Sequence, residues 1–408
     1  MKGPRIDEFM KAQGEAVEYL RRLPIGRATI VHHNDTDGIT SGAILQEALR
    51  REGYGTEGIP IERAHPSFLP KIHTPERKLI LYADLGSQAA SMISPKVLPG
   101  TGVIILDHHP PFQVSFPNLI QVNPESFGID GDLLASAASV AFFFARTLSG
   151  KNEDLAYLAV IGAIGDNQVA EGKVAGLNQM ALEIALQRGS IQPSGHSLDP
   201  YRFPLFEGAG GSEVSREITD LAVNGYYRGG AARALAFCRE GPAEESRRFA
   251  AEMRKIQRGR FGGELERIQS RGISSEGETQ WIDVEDRFYP LGLKSIGIFC
   301  EEITKRRLGH DDKYLVGFQD FPTEVPILGK FEGEDTKVSM RVPPALRGEV
   351  EQGEKPNLVE MLPDAAREAG GFAEGCHRFS AACTIPRTRK RALLSALNRF
   401  VIDWLKEK

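Results

Sequence analysis

Cysteine and tryptophan are scarce: four of the first, Cys238, Cys300, Cys376 and Cys383, and two of the second among 408 residues. Four scattered thiols exclude a disulfide-stapled framework and fit a reducing compartment. No window approaches the ~18 consecutive apolar residues of a membrane span, and the opening MKGPRIDEFMKAQ has no apolar signal segment. A cytoplasmic protein with no membrane association is expected. An excess of either charge is also lacking: 50 basic against 55 acidic residues leave a net charge of −5. That balance advertises no global polycation for nucleic acid, although a local basic groove is compatible with it. Internal repeats and low-complexity tracts are absent. What is present is an ordinary globular composition, 41% apolar and 26% charged, over a length that favours two or three domains.

Apolar periodicity predicts a helix over residues 6–22 and a strand RATIVHH after it. Two further apolar runs, KLILYADLGS and GVIILDHHPP, each end in an aspartate. Short apolar runs alternating with helical stretches indicate a parallel α/β sheet buried on both faces. In such sheets the functional site lies beyond the carboxyl ends of the strands. DLLASAASVAFFFARTL and NEDLAYLAVIGAIGDNQVA read as buried helices, the second breaking at Gly165-Asp166. From about 190 to 240 the sequence becomes rich in Gly, Pro and Ser, the texture of a loop or inter-domain region. A long charged helix follows, interrupted near Gly262-Gly263, and a second α/β unit begins near 275. The expected organisation is α/β throughout: residues 1–190 a parallel-sheet domain, 191–274 a linker region with a long connector helix, and 275–408 a smaller α/β domain, with a cleft between the two domains.

The chemistry concentrates at the strand ends. VHHNDTDG carries His33, Asp35 and Asp37, the second run ends in Asp84, the third in Asp107-His108-His109, and Asp166 follows later. Alternation in an extended chain places residues 33, 35 and 37 on one face and His32 and Asn34 on the other. Mixed carboxylates and imidazoles without thiolate suit two hard or borderline divalent ions, Mn²⁺ rather than structural zinc. Two such ions held ~3.5–4 Å apart clamp a phosphate and lower the pKa of water toward ~7. Taken singly, Asp37 before Gly38 reads equally as an N-cap, and Asp84 before Leu85-Gly86 as a turn residue. Their joint occurrence with an Asp-His-His triplet favours a metal centre.

These stretches resemble the DHH phosphoesterase superfamily: HNDTDG its first motif, YADLGS its second, LDHHPP its third and AIGDN its fourth, in order over the first ~190 residues. The resemblance implies that His33 and Asp35 serve one metal, that Asp37, His108 and Asp166 serve the other, and that Asp84 bridges both. It further implies that Asp107 orients a histidine and that His109 sits near the substrate phosphate, stabilising charge or assisting the leaving oxygen. Asp84, Asp107 and His109 are thus the expected catalytic residues.

KVSMRVP is similar to the Ser-x-Arg strand of the DHH-associated C-terminal domain, and GGFAEGCHRFSAACTIP stands where that domain has a glycine-rich motif. Ser339, Arg341, Gly375 and His377 are the implied substrate contacts. Cys376 and Ala382-Cys383 depart from the motif where glycines are usual. Cys376, His377 and Cys383 lie close enough in sequence to raise zinc, but the Cys-His adjacency lacks zinc-ligand spacing. NGYYRGG is open to base stacking or to inward packing, and the runs RKIQRGR and PRTRKR to backbone tracking or to solvation.

Together the resemblance implies a RecJ-like, compact archaeal-type exonuclease. It would use two Mn²⁺ ions, or Mg²⁺, to degrade single-stranded DNA, or RNA, to mononucleotides in DNA repair, alongside a replication or repair protein partner. The rival readings are a small-substrate phosphodiesterase acting on short oligoribonucleotides, cyclic dinucleotides or 3′-phosphoadenosine phosphate, and a non-catalytic replication scaffold.

Overall fold

The computed structural model describes residues 4–196, 199–331 and 333–407. It divides into two compact units, Met1–Ala251 with Pro326–Leu328 and Glu252–Val325 with Gly329–Lys408. No helix among the described residues is long and apolar enough to cross a membrane.

The first unit is built on five parallel strands: β1 (Arg27–His33), β2 (Gly55–Ile61), β3 (Leu79–Ala83), β4 (Gly102–Leu106) and β5 (Leu119–Val122). Their spatial order is β2-β1-β3-β4-β5, every neighbouring pair parallel. β3 and β4 are buried at every position, which is why their sequences are continuously apolar. Helices α1 (Ile6–Arg22) and α2 (Thr36–Arg51), with Ala137–Leu148, Ala156–Gly165 and Gly176–Gln187, cover the sheet through one core that joins Ile30, Leu81 and Ile104 to Phe9, Ile44, Phe142 and Ile161. The order 2-1-3-4-5 has its topological switch between β1 and β3, where α/β sheets open a crevice at their carboxyl ends.

The stretch 201–240, whose Gly/Pro texture suggested a linker, carries helices Gly211–Ala222 and Gly230–Glu240. Phe203, Phe206, Val214, Ile218, Leu221 and Phe237 join the first unit's core. Its glycines sit at the helix ends, so the texture marks caps rather than a tether: Gly229 takes φ 74° and Gly241 φ 80°. The charged helix Glu244–Arg271 runs unbroken through Gly262-Gly263. Each glycine costs a helix only about 1 kcal/mol relative to alanine, too little to break 28 residues.

The second unit is a six-stranded mixed sheet flanked by helices. Its parallel pair is Thr279–Asp283 with Tyr314–Asp320. Asp335–Arg341 and Ser380–Pro386 continue it antiparallel. Helices Leu358–Glu368 and Lys390–Lys406 pack on it through Met361, Leu362, Leu393 and Leu397.

Candidate metal centre

β1 delivers His33 at its last position. Asp35 then caps α2, its Oδ1 accepting from the Gly38 amide at 3.0 Å. The alternation expected through Asp37 therefore holds only to Asp35, because Thr36 already begins the helix. Asp37 occupies the first helical turn, and it caps a different helix from the one its sequence suggested. Its Oδ2 accepts from Ala137 N at 2.7 Å and its Oδ1 from Ala138 N at 2.9 Å, both at the N-terminus of Ala137–Leu148. β3 ends at Ala83, and Asp84 follows at φ 60°. Left-handed backbone is uncommon outside glycine, and aspartate is among the residues that enter it most readily.

These side chains converge on two triads. His33 Nδ1 lies 3.0 Å from Asp35 Oδ2 and 3.4 Å from Asp84 Oδ2. His108 Nε2 lies 3.4 Å from Asp84 Oδ1, 3.7 Å from Asp166 Oδ2 and 3.9 Å from Asp37 Oδ2. Asp84 thus turns one oxygen toward each triad. In both groups the candidate ligand atoms fall within 4.8 Å of one another.

The protonation pattern calls for a cation. His108 Nδ1 donates to Gly131 O at 2.7 Å, which fixes the neutral tautomer with its lone pair on Nε2. That buried Nε2 makes no hydrogen bond and faces three carboxylates, an arrangement suited to a shared positive ion. Without one, burial together with Asp84 and Asp166 pushes Asp37 well above the ordinary carboxyl range. Burial opposes the charged form of His33, but Asp35 and Asp84 outweigh it and raise the imidazole to about 9. Imidazole and carboxylate donors without thiolate fit Mn²⁺ or Mg²⁺.

Asp107 is buried and accepts throughout: Oδ2 from Ser87 N at 2.9 Å, and Oδ1 from His108 N and His109 Nδ1, both at 2.8 Å. Burial works against its charge, yet His109 and these donors hold the carboxyl below the usual range. Burial likewise works against charge on His109, and Asp107 raises its imidazole. His32 lies on the opposite face, fully buried against Gly42 of α2, with burial lowering it to about 4.

In the second unit, Ser339 and Arg341 share the strand Asp335–Arg341. The Arg341 guanidinium donates to Ser339 Oγ and Gly297 O, both at 3.0 Å, and to Met340 O at 2.8 Å. Arg341 pairs with Ser380, whose carbonyl accepts from His377 N at 2.8 Å. This sets His377 at the same end of the sheet, with Gly375 at φ 62°. Cys376 and Cys383 are buried in the apolar core, and no candidate metal cluster among the described residues includes a cysteine. The YY of NGYYRGG packs inward: Tyr226 OH donates to Pro60 O and Tyr227 OH to Glu62 Oε2. PRTRKR is largely neutralised, with Arg387 and Lys390 on Asp320, Lys390 also on Asp283, and Arg391 on Glu276.

Sequence reasoning passed over Gln168 and Asn178. Gln168 stands two residues beyond Asp166 in GDNQVA, and Asn178 is a lone amide on the apolar face of GLNQMALEIALQ. That polar residue among Leu177, Ala181 and Ala185 was the available signal.

Residues 27–164 match the DHH family, N-terminal domain. An uncharacterized protein of Methanocaldococcus jannaschii is 34% identical over 166 residues, 39% of this chain and 37% of the relative. RecJ of Thermus thermophilus, in complex with Mn²⁺, superposes with a TM-score of 0.64 at 17% identity, over 97% of this chain and 55% of that one. An exonuclease RecJ bound to manganese superposes at 0.60 and 19% identity, over 98% and 96% of the two chains. This chain thus spans little more than half of the Thermus protein. The ordered motifs and the family match mark residues 27–164 as a DHH-family N-terminal domain, and the chain as a whole has a RecJ-like fold.

Proposed function

We propose that the chain is a divalent-metal-dependent exonuclease that hydrolyses single-stranded DNA, or RNA, to mononucleotides. The observation that carries this reading is Asp84, held in a left-handed turn with one oxygen toward each of two His-carboxylate triads. In this reading His33, Asp35 and Asp84 hold one ion, and Asp37, His108, Asp166 and Asp84 the other. The bound ions, Mn²⁺ or Mg²⁺ as in the RecJ structures, supply an acidified water and neutralise charge on the phosphate.

The chain's own residues do the rest. Asp107 fixes the His109 ring through Nδ1 and favours its charged form, which suits His109 to donate a proton to the departing sugar oxygen. Asp35 and Asp37 are each tied to helix amides, so the ligand oxygens are ordered before a metal arrives. Ser339, Arg341, Gly375 and His377 are the candidate contacts to the nucleic-acid backbone.

The test is incubation with Mn²⁺ and single-stranded DNA or RNA of graded length, end-labelled at each end in turn. Release of mononucleotides from a 20-mer is expected, and Asp84→Asn, whose side chain tolerates left-handed backbone, should abolish it in a folded protein. Absence of hydrolysis at every length would overturn the reading. Hydrolysis confined to substrates of a few nucleotides would move the protein to the small-substrate class.

A further inference from the structure

The second triad is backed by a buried amide pair whose geometry fixes its own orientation. Asn178 Oδ1 accepts from Ser136 N at 2.9 Å and from Ser139 Oγ at 2.6 Å. A backbone N–H can only donate, so Asn178 must present oxygen there and turn its NH₂ elsewhere. That NH₂ donates to Gln168 Oε1 at 2.7 Å, which in turn directs the Gln168 NH₂ forward. Gln168 Nε2 donates to Gly131 O at 2.7 Å and to Asp166 Oδ2 at 2.9 Å. Both amides are at most 2% exposed, so water does not substitute readily for these bonds.

Each branch ends on a member of the triad. Gln168 holds Asp166 directly. It shares the Gly131 carbonyl with His108 Nδ1, so the carbonyl that fixes the His108 tautomer is itself held by Gln168. Asn178 anchors Ser136, the N-cap of Ala137–Leu148, whose next two amides grip Asp37. None of these bonds reaches His33 or Asp35.

We infer that Gln168 and Asn178 are positioning residues that set the divalent-cation affinity of the Asp37/His108/Asp166 site while leaving the His33/Asp35 site unaffected. The inference rests on the two-ion reading above. Partners that orient metal ligands typically contribute 10- to 100-fold in affinity.

The experiment is Mn²⁺ titration of the metal-stripped full chain, followed by calorimetry and by the electron paramagnetic resonance of free Mn²⁺, with apo melting curves alongside. Wild type should bind two ions. Gln168→Met, which keeps the side-chain length and removes both donors, should weaken one ion about 10- to 100-fold and move the other less than about twofold. Gln168→Glu retains an oxygen for Asn178 but sets a carboxylate against Asp166, and should reproduce the selective loss if the Met variant folds poorly. Unchanged binding of both ions in folded variants, or equal weakening of both, overturns the inference while the two-ion reading stands. Wild-type protein binding fewer than two ions overturns both.

Discussion

In the proposed two-ion site protons and metal ions compete for the same lone pairs, so pH should move these groups' contribution to apo stability and their metal affinity in opposite directions. His33 is raised from an ordinary 6.5 to about 9 by Asp35 and Asp84, against the opposing effect of burial. In the metal-free protein its favourable contribution is complete below pH 6.5 and is lost as pH rises through about 9. A ligand must shed its proton to bind, so below pH 9 each pH unit tightens the His33 site about tenfold per displaced proton. Between pH 6 and pH 8 that amounts to about 100-fold, or about 2.7 kcal/mol of added metal-linked stabilisation at a fixed saturating ion concentration. His108 and Asp37 are also raised, so the second ion follows the same sign. The assay is denaturant unfolding at pH 6 and pH 8, with and without Mg²⁺. Calorimetry in two buffers of different ionisation enthalpy would count the protons released. A metal-induced gain independent of pH, or binding without proton release, would refute the reasoning.

Two further outcomes follow from the packing. His73 is buried beside Tyr82, with Nε2 2.8 Å from its hydroxyl, and burial lowers it to about 4. Unfolded histidine protonates near 6.5, so metal-free stability should fall by about 2 kcal/mol between pH 7 and pH 5 on this account, and His73→Gln should flatten that limb in urea titrations. Gly162→Ala would drive a methyl into Ala138 and the Asp37 carboxylate. It should cost about 1–3 kcal/mol and weaken the second ion in Mn²⁺ titration, and an unchanged melting curve would show that the helix yields.

The central strands and their terminal acids were legible because β3 and β4 are buried on both faces and can end usefully only at the crevice. Within the five-stranded parallel sheet, the two strands not read from sequence, β2 and β5, are its edges. GTEGIPI carries two glycines and a proline, and LIQV is four residues long, so neither has the continuous apolar signature of a central strand. Within the site, charged and imidazole side chains stood out at strand ends. The supporting amides did not, because Gln168 and Asn178 bear no charge and their role depends on chain segments brought together from residues 131 to 178. The left-handed backbone at Asp84 was equally silent, since Asp-Leu-Gly is an ordinary turn sequence.

The contrast between His32 and His33 makes β1 a parity-sensitive element. Adjacent, chemically identical residues differ by about five pH units, one lowered to about 4 inside the core and one raised to about 9 at the crevice. Only odd or even position along the strand separates them, and the parallel ladders with β2 and β3 fix that position. Inserting or deleting one apolar residue within RATIV would keep both histidines and leave the hydropathy almost unchanged. It would nevertheless send the core imidazole to the crevice and the crevice imidazole into the buried layer, so the length of this strand carries as much information as the identity of its last two residues.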